Sequence, residues 1–349
     1  MKKKDFIKIQ AVVIMIVFMT AGSAWAEESV YFSKCDIVKE AIEQSHKYPI
    51  KVGTEEWKSY SSSVQRIGLL RIGDKEIANM STLALAISVL SHPYLSDIWA
   101  YNTLELGYLC SECYLDGLKE LLNREDFEEA YDILKDSKEI FDYVLVDIGD
   151  EETNTAAVRQ EIKLIGDLYD LVHEDDIQSE IQNSGVHYVS TPNGSSVAAV
   201  YGYTYADFNT SVLAVKSAQT KLLAQYDSAV IVTDVSSNTS SYNCHSYAWH
   251  STSTSNKYWI NNPSAYMTDG SYASGTARVG FKVFWSNSSY GTIHSGIVYS
   301  LSTSATNPTK VTSKWGMCGV IRHNTNDCPY SNSAEYGSGI VTGIWNRSS

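Results

Sequence analysis

Apolar residues recur at helical spacing through the first half of the chain and change to short β-branched runs in the second. After Ser81, which is placed to cap a helix, Leu83, Ile87 and Leu90 mark one face, and Pro93 follows the end. Ser96 is placed to cap the next helix, with Ile98, Trp99, Leu104 and Leu106 facing inward. Leu115, Leu118, Leu121 and Leu122 continue the stripe. Asn123 then precedes Phe127, Ala130, Tyr131 and Leu134, and Ile162, Ile165, Leu168, Tyr169 and Val172 form a last amphipathic face. This pattern predicts a packed helical bundle over about residues 30–178. The run Glu174-Asp175-Asp176 marks its end.

Beyond it the period changes. Strands are expected at His187–Thr191 and Ser195–Tyr203 around the turn Thr191-Pro192-Asn193-Gly194, and a helix at Ala206–Tyr226. A further strand is expected at Ala229–Val235. Arg278–Trp285 and Thr292–Ser300 read as paired strands about a turn, with shorter strands at Val311–Trp315 and Gly319–His323. The expected class is α+β: an all-α N-terminal domain, then a helix packed on an antiparallel sheet.

The ends and the charge refine this picture. Lys2, Lys3, Lys4 and Lys8 precede the apolar run Ala11–Met19 and the small-x-small site Ala24-Trp25-Ala26. That is the form of an export signal over residues 1–26, too short for a membrane span. Export to the cell envelope or medium is expected, without stable membrane insertion after signal removal. Residues 27–180 hold 33 acidic and 14 basic residues, a net of −19; residues 181–349 hold 6 and 9, a net of +3. A division into domains 27–180 and 181–349 is expected. The acidic half argues against nucleic acid as a partner, because Coulomb repulsion opposes it. The opposite charges of the halves raise the idea that the first holds a cleft in the second closed.

Chemistry concentrates in Asn243-Cys244-His245-Ser246-Tyr247-Ala248-Trp249-His250 and in Gly291-Thr292-Ile293-His294-Ser295-Gly296-Ile297-Val298. Ser240, Ser241 or Asn243 is placed to cap a helix with Cys244 in its first turn, where the helix dipole favours a thiolate. His294 opens a strand and is followed by small residues that leave room at a cleft. It is the expected base, since an imidazole must reach the sulfur and then protonate a leaving group. His245 lies beside Cys244 on the helix and points elsewhere, and His250 falls far round it. His323 is a candidate orienting or cleft residue. A zinc site of Cys244, His245, His294 and His323 fits no standard ligand spacing, so neither metal nor other cofactor is expected. Of the other cysteines, Cys318 and Cys328 are placed to close a local disulfide loop, and Cys35, Cys110 and Cys113 offer structural pairings. Cys244 is left without an obvious mate. Trp249, Trp259, Trp285 and Trp315, with many tyrosines, suggest an aromatic-lined groove.

Tyr242–Trp249, Gly280 and the hairpin reaching His294-Ser295-Gly296-Ile297-Val298 resemble the core of papain-like bacterial cysteine hydrolases, the NlpC-like and CHAP-like amidases and endopeptidases. The likeness covers about residues 228–330. It implies a helix-borne Cys244 that attacks an amide, a strand-borne His294 that assists, and a third polar residue on the next strand, where Ser313 is the positional match. Asn243, Trp315 and His323 are the expected substrate contacts. Peptidoglycan peptide is the expected substrate, and the bond would be hydrolysed through a thioester. Two rival functions remain open. One is a non-catalytic module binding cell wall or glycan on the same fold; the other is an exported protease or deamidase acting on other proteins.

Overall fold

The computed structural model describes residues 34–144, 151–173, 186–208, 210–287, 289–302, 308–336 and 340–348. The signal-like segment 1–26 and the acidic run 174–176 lie outside the described residues. Among those described, every element before His187 is helical and most of the later elements are strands. The architecture is a mixed helix-and-sheet fold with antiparallel sheets, as the change of period implies.

The helices form where capping and apolar spacing agree. Ser81 caps Thr82–Leu90 through its hydroxyl and the Ala84 N–H, 3.3 Å. That helix is buried on all sides, so it forms the centre of the bundle. Phe127, Ala130 and Leu134 face inward from Phe127–Asp136, and Ile162, Ile165 and Leu168 from Glu151–His173. Two caps differ from expectation. Ser96 lies inside a tight turn of helix, Leu95–Ala100, and donates its hydroxyl to Glu161 at 2.9 Å. Thr103 caps the following helix, Leu104–Ser111, instead. Asn123 closes the helix Leu118–Leu122 rather than opening the next, its amide donating to the Lys119 carbonyl.

The strands are β1 (His187–Ser190), β2 (Ser196–Tyr201), β3 (Val230–Thr233), β4 (Tyr258–Trp259), β5 (Tyr272–Ser274), β6 (Lys282–Asn287), β7 (Gly291–Leu301), β8 (Pro308–Lys314), β9 (Val320–Asn324) and β10 (Ile340–Arg347). Strands β1, β2 and β4 make a small sheet. The other seven make a second, in the order β3-β9-β8-β7-β6-β10-β5. The expected hairpin is the β6–β7 pair, with Trp285 opposite His294. The helix expected at 206–226 is interrupted: Tyr205–Phe208 is one tight turn, and Ser211 caps Val212–Gln225.

One buried hydrophobic cluster includes Val38, Trp57, Leu85 and Trp99 from the helical half and Leu222, Trp285, Trp315 and Tyr330 from the rest. Polar links cross the same boundary. Arg66 is buried and donates to the carbonyls of Trp57, Tyr60 and Gln225 and to Asp227, the last at 2.6 Å. Asp97 accepts from Tyr114, Tyr226 and Asn332. Burial lifts its carboxyl to about 7 against those three donors. The two halves thus pack on one core.

Candidate active site

Cys244 begins a helical turn, as its position after a polar segment predicts. Asn243 caps it: the side-chain oxygen accepts from the Ser246 N–H at 3.0 Å, and the side-chain amide donates to the Ile260 carbonyl at 2.6 Å. Its oxygen thus holds the helix start and its amide holds Ile260, as burial of these polar atoms demands. The helix then widens, with the Ser251 N–H reaching five residues back to Ser246. Widened turns of this kind are common at functional sites.

The sulfur is closed in. Its thiol meets the Asn102 side-chain oxygen at 3.4 Å, and Asn102 comes from the helical half. Burial pushes the Cys244 thiol up to about 12. The Ser295 N–H, a charged Lys314 and the His245 N–H favour the thiolate, but they do not overcome the loss of water. The expected low thiol pKa is thus reversed in this closed form. Favourable groups are present, and desolvation outweighs them.

His294 is fully buried. Among the described residues neither ring nitrogen has a hydrogen-bond partner. Its ring stacks on Tyr330 at 3.4 Å, with Trp285 at 5.2 Å. Burial, with His323 and His245 nearby, holds the imidazole neutral, well below its ordinary value. Successive strand residues face opposite ways. Ser295 faces the cysteine helix, where its hydroxyl meets His245 Nδ1 at 2.8 Å and accepts from the Trp249 indole at 2.9 Å. His294 therefore lies on the other face, with Trp285 and Tyr330. Tyr330 links the two expected residues: its ring covers His294, and it lies close enough to Cys244 that a thiolate there would oppose its ionisation. Its hydroxyl donates to the Ala100 carbonyl at 2.6 Å.

The expected third member differs from expectation. Ser313 is bonded to His323 Nε2 at 3.0 Å, not to His294. His323 Nδ1 meets the Asn324 carbonyl at 2.8 Å, so it carries the proton and Nε2 accepts from the Ser313 hydroxyl. His323 is buried and lowered to about 4. Trp315 is also fully buried, so neither it nor His323 lines an open cleft. Trp249, Trp259 and Trp285 are buried too. The tryptophans form core, because their area is worth more inside than in water. Cys35, Cys113, Cys318 and Cys328 carry free thiols, so among the described residues the local loop between Cys318 and Cys328 is not closed by a disulfide. Among the described residues no group of three or more His, Cys, Asp or Glu is placed to hold a metal ion.

Sequence reading missed Asn102, Tyr330 and Lys314. Asn102 and Tyr330 come from segments far from the cysteine and carry no local signal. Lys314 had one: alternation along Thr312-Ser313-Lys314-Trp315 sets it on the face opposite Ser313. It is buried, donates to the Gly316 carbonyl at 2.6 Å, and lies 5.4 Å from the Tyr242 ring centre.

A small cavity of about 90 Å³ abuts the site, lined by Trp99, Tyr101, Asn102, Phe208 and Met317 among others. It is too small for a peptide. Asn102 forms part of its wall and separates it from the sulfur. The 99–102 segment is held by Gly316, where a Cβ would strike the carbonyl oxygens of Trp99 and Tyr101. No protein-family model, curated protein or solved structure matches the chain.

Proposed function

We propose that the chain is an exported cysteine hydrolase of papain-like type, held in a closed form, that cleaves amide bonds through a thioester on Cys244. One observation carries the reading. His294 is fully buried with both ring nitrogens unpartnered among the described residues, one residue from the Ser295 N–H that faces the Cys244 sulfur. An unpaired buried group of this kind costs about 1–3 kcal/mol, and such groups call for a functional explanation. Cys244 attacks the carbonyl carbon. Once Tyr330 and the 99–102 segment have moved aside and water enters, the rehydrated His294 takes a proton from solvent and passes it to the departing amine. Water then hydrolyses the thioester.

The export-like leader and the resemblance favour peptidoglycan peptide as substrate, with other proteins second. The Asn102 contact supports a role for the acidic helical half in holding the site shut. A non-catalytic module is the second reading, favoured by the sulfur being held as a neutral thiol. The test is to incubate purified peptidoglycan and a protein panel side by side with the chain and with Cys244→Ala. Products from the wild type alone support the hydrolase and identify its substrate class. Equal product release from the Cys244→Ala chain would sink the mechanism.

A further inference from the structure

The face of the large sheet that carries the cysteine helix presents a buried lysine, Lys314. Continuing the β7–β8 register two residues past the Ile297–Thr312 pair sets Lys314 opposite Ser295. Ser295 Oγ bonds the cysteine helix, and its N–H faces Cys244. Lys314 also lies over Tyr242, two residues before the cysteine. A buried lysine normally has a carboxylate partner. Lys314 has none among the described residues: its one hydrogen bond goes to the Gly316 carbonyl. The groups whose charge it feels are two thiols, Cys244 and Cys318.

We propose that Lys314 is the proton acceptor for the Cys244 thiol: when water reaches the site, the proton leaves Sγ for Nζ, and the pair becomes thiolate and ammonium. This rests on the reading of Cys244 as a nucleophile. It divides the proton work between two residues: Lys314 takes the thiol proton, and His294, rehydrated and protonated by solvent on opening, gives a proton to the leaving group. The bookkeeping of charge closes without a co-reactant, because one S–H bond breaks and one N–H bond forms.

Burial explains why the transfer waits. Desolvation penalises both charged forms, lowering Lys314 to about 7 and raising Cys244 to about 12. In that order the amine and the thiol are both neutral at slightly alkaline pH. Their ordinary values of 10.5 and 9.0 stand in the reverse order, so rehydration favours the ion pair. The other titratable groups facing the pair are Tyr242, Tyr330, Cys318, His245 and, beyond Cys318, Tyr205. The tyrosines and Cys318 keep their own protons near pH 7, and burial lowers His245 to about 3 against about 7 for Lys314, so Lys314 is the stronger base.

The test is the pH profile of Cys244 alkylation by iodoacetamide in the full chain, resolved by mass spectrometry, for the wild type, Lys314→Met and Lys314→Arg. Alkylation proceeds from opened molecules. The fraction opened scales the rate, while the midpoint reports ionisation of the thiol. Loss of the cation in Lys314→Met should raise the midpoint by at least about one pH unit. Arginine keeps the charge but takes no proton, so Lys314→Arg should show a midpoint no higher than the wild type. Circular dichroism checks that each variant folds; if the methionine variant does not, the arginine variant decides. Equal midpoints in wild type and Lys314→Met, or a raised midpoint in Lys314→Arg, would overturn the pairing. Hydrolysis by Cys244→Ala is measured in parallel. If hydrolysis survives Cys244→Ala while the profile depends on Lys314, the hydrolase reading fails and the pair stands. If hydrolysis is lost while the profile ignores Lys314, the pair fails and the hydrolase stands.

Discussion

Replacing Gly316 with alanine should loosen the cover over Cys244. Gly316 has φ +44°, a left-handed conformation that costs an L-residue about 1–2 kcal/mol. The added Cβ would also press on backbone, with the Ala100 carbonyl carbon at 2.8 Å and the carbonyl oxygens of Trp99 and Tyr101 nearer still. Backbone cannot swing aside as a flexible side chain can, so overpacking adds about 1–3 kcal/mol. The sum is about 2–5 kcal/mol, which should lower the melting temperature by on the order of 10 °C. The easiest relief is displacement of residues 99–102, and that carries the Asn102 oxygen away from the sulfur. Thermal melting followed by circular dichroism, with the iodoacetamide labelling rate of Cys244, reads both effects. Melting should fall and labelling should rise together. An unchanged melt with an unchanged labelling rate would refute the reasoning, because it would mean that the segment is not seated on Gly316.

Three further outcomes rest on the buried polar groups. Tyr330→Leu removes the ring stacked on His294 and the bond to Ala100, and should raise Cys244 labelling several-fold; labelling at the wild-type rate would remove Tyr330 from the cover. Arg66→Met leaves three carbonyls and Asp227 without their buried donor and should cost about 3–5 kcal/mol in urea melts, against a negligible change if the halves were independently held. His92, His245, His294 and His323 are all depressed by burial, two of them to about 3 and His323 to about 4. The unfolded chain binds protons there first, so stability present above about 6.5 is lost as pH falls, by about 2 kcal/mol per histidine at about pH 5. Asp97, raised to about 7, works the other way and returns about 2 kcal/mol over the same range. Urea midpoints at neutral pH and near pH 5 should therefore drop steeply in acid, and a flat profile would contradict the neutral burial of these histidines.

Local signals were the legible ones. The Ser81 cap, the buried faces of the Phe127 and Glu151 helices, the β6–β7 hairpin and the Asn243 cap before Cys244 all arise from neighbouring residues. The site's cover was not legible. Asn102 meets Cys244 across 142 positions, and Tyr330 meets Ala100 across 230. Sequence spacing holds no information about such contacts. The strand pattern did hold the facing of His294 and Ser295, since side chains alternate. The side that received the cysteine helix is a tertiary choice, made by the bonds from Ser295 to His245 and Trp249. The tryptophans illustrate the same limit. Aromatic composition fits a groove or a core equally well, and burial decided for core.

The central claim is that Cys244 is a nucleophile, and the most direct measurement is capture of its acyl intermediate. Full-length chain would be mixed with peptidoglycan peptides and with the protein panel, quenched in acid, digested and mapped by mass spectrometry. A substrate acyl group should appear on Cys244, absent from the Cys244→Ala chain and matched by products released in the same samples. Turnover in which no acyl group forms on Cys244, or equal turnover by Cys244→Ala, would contradict it.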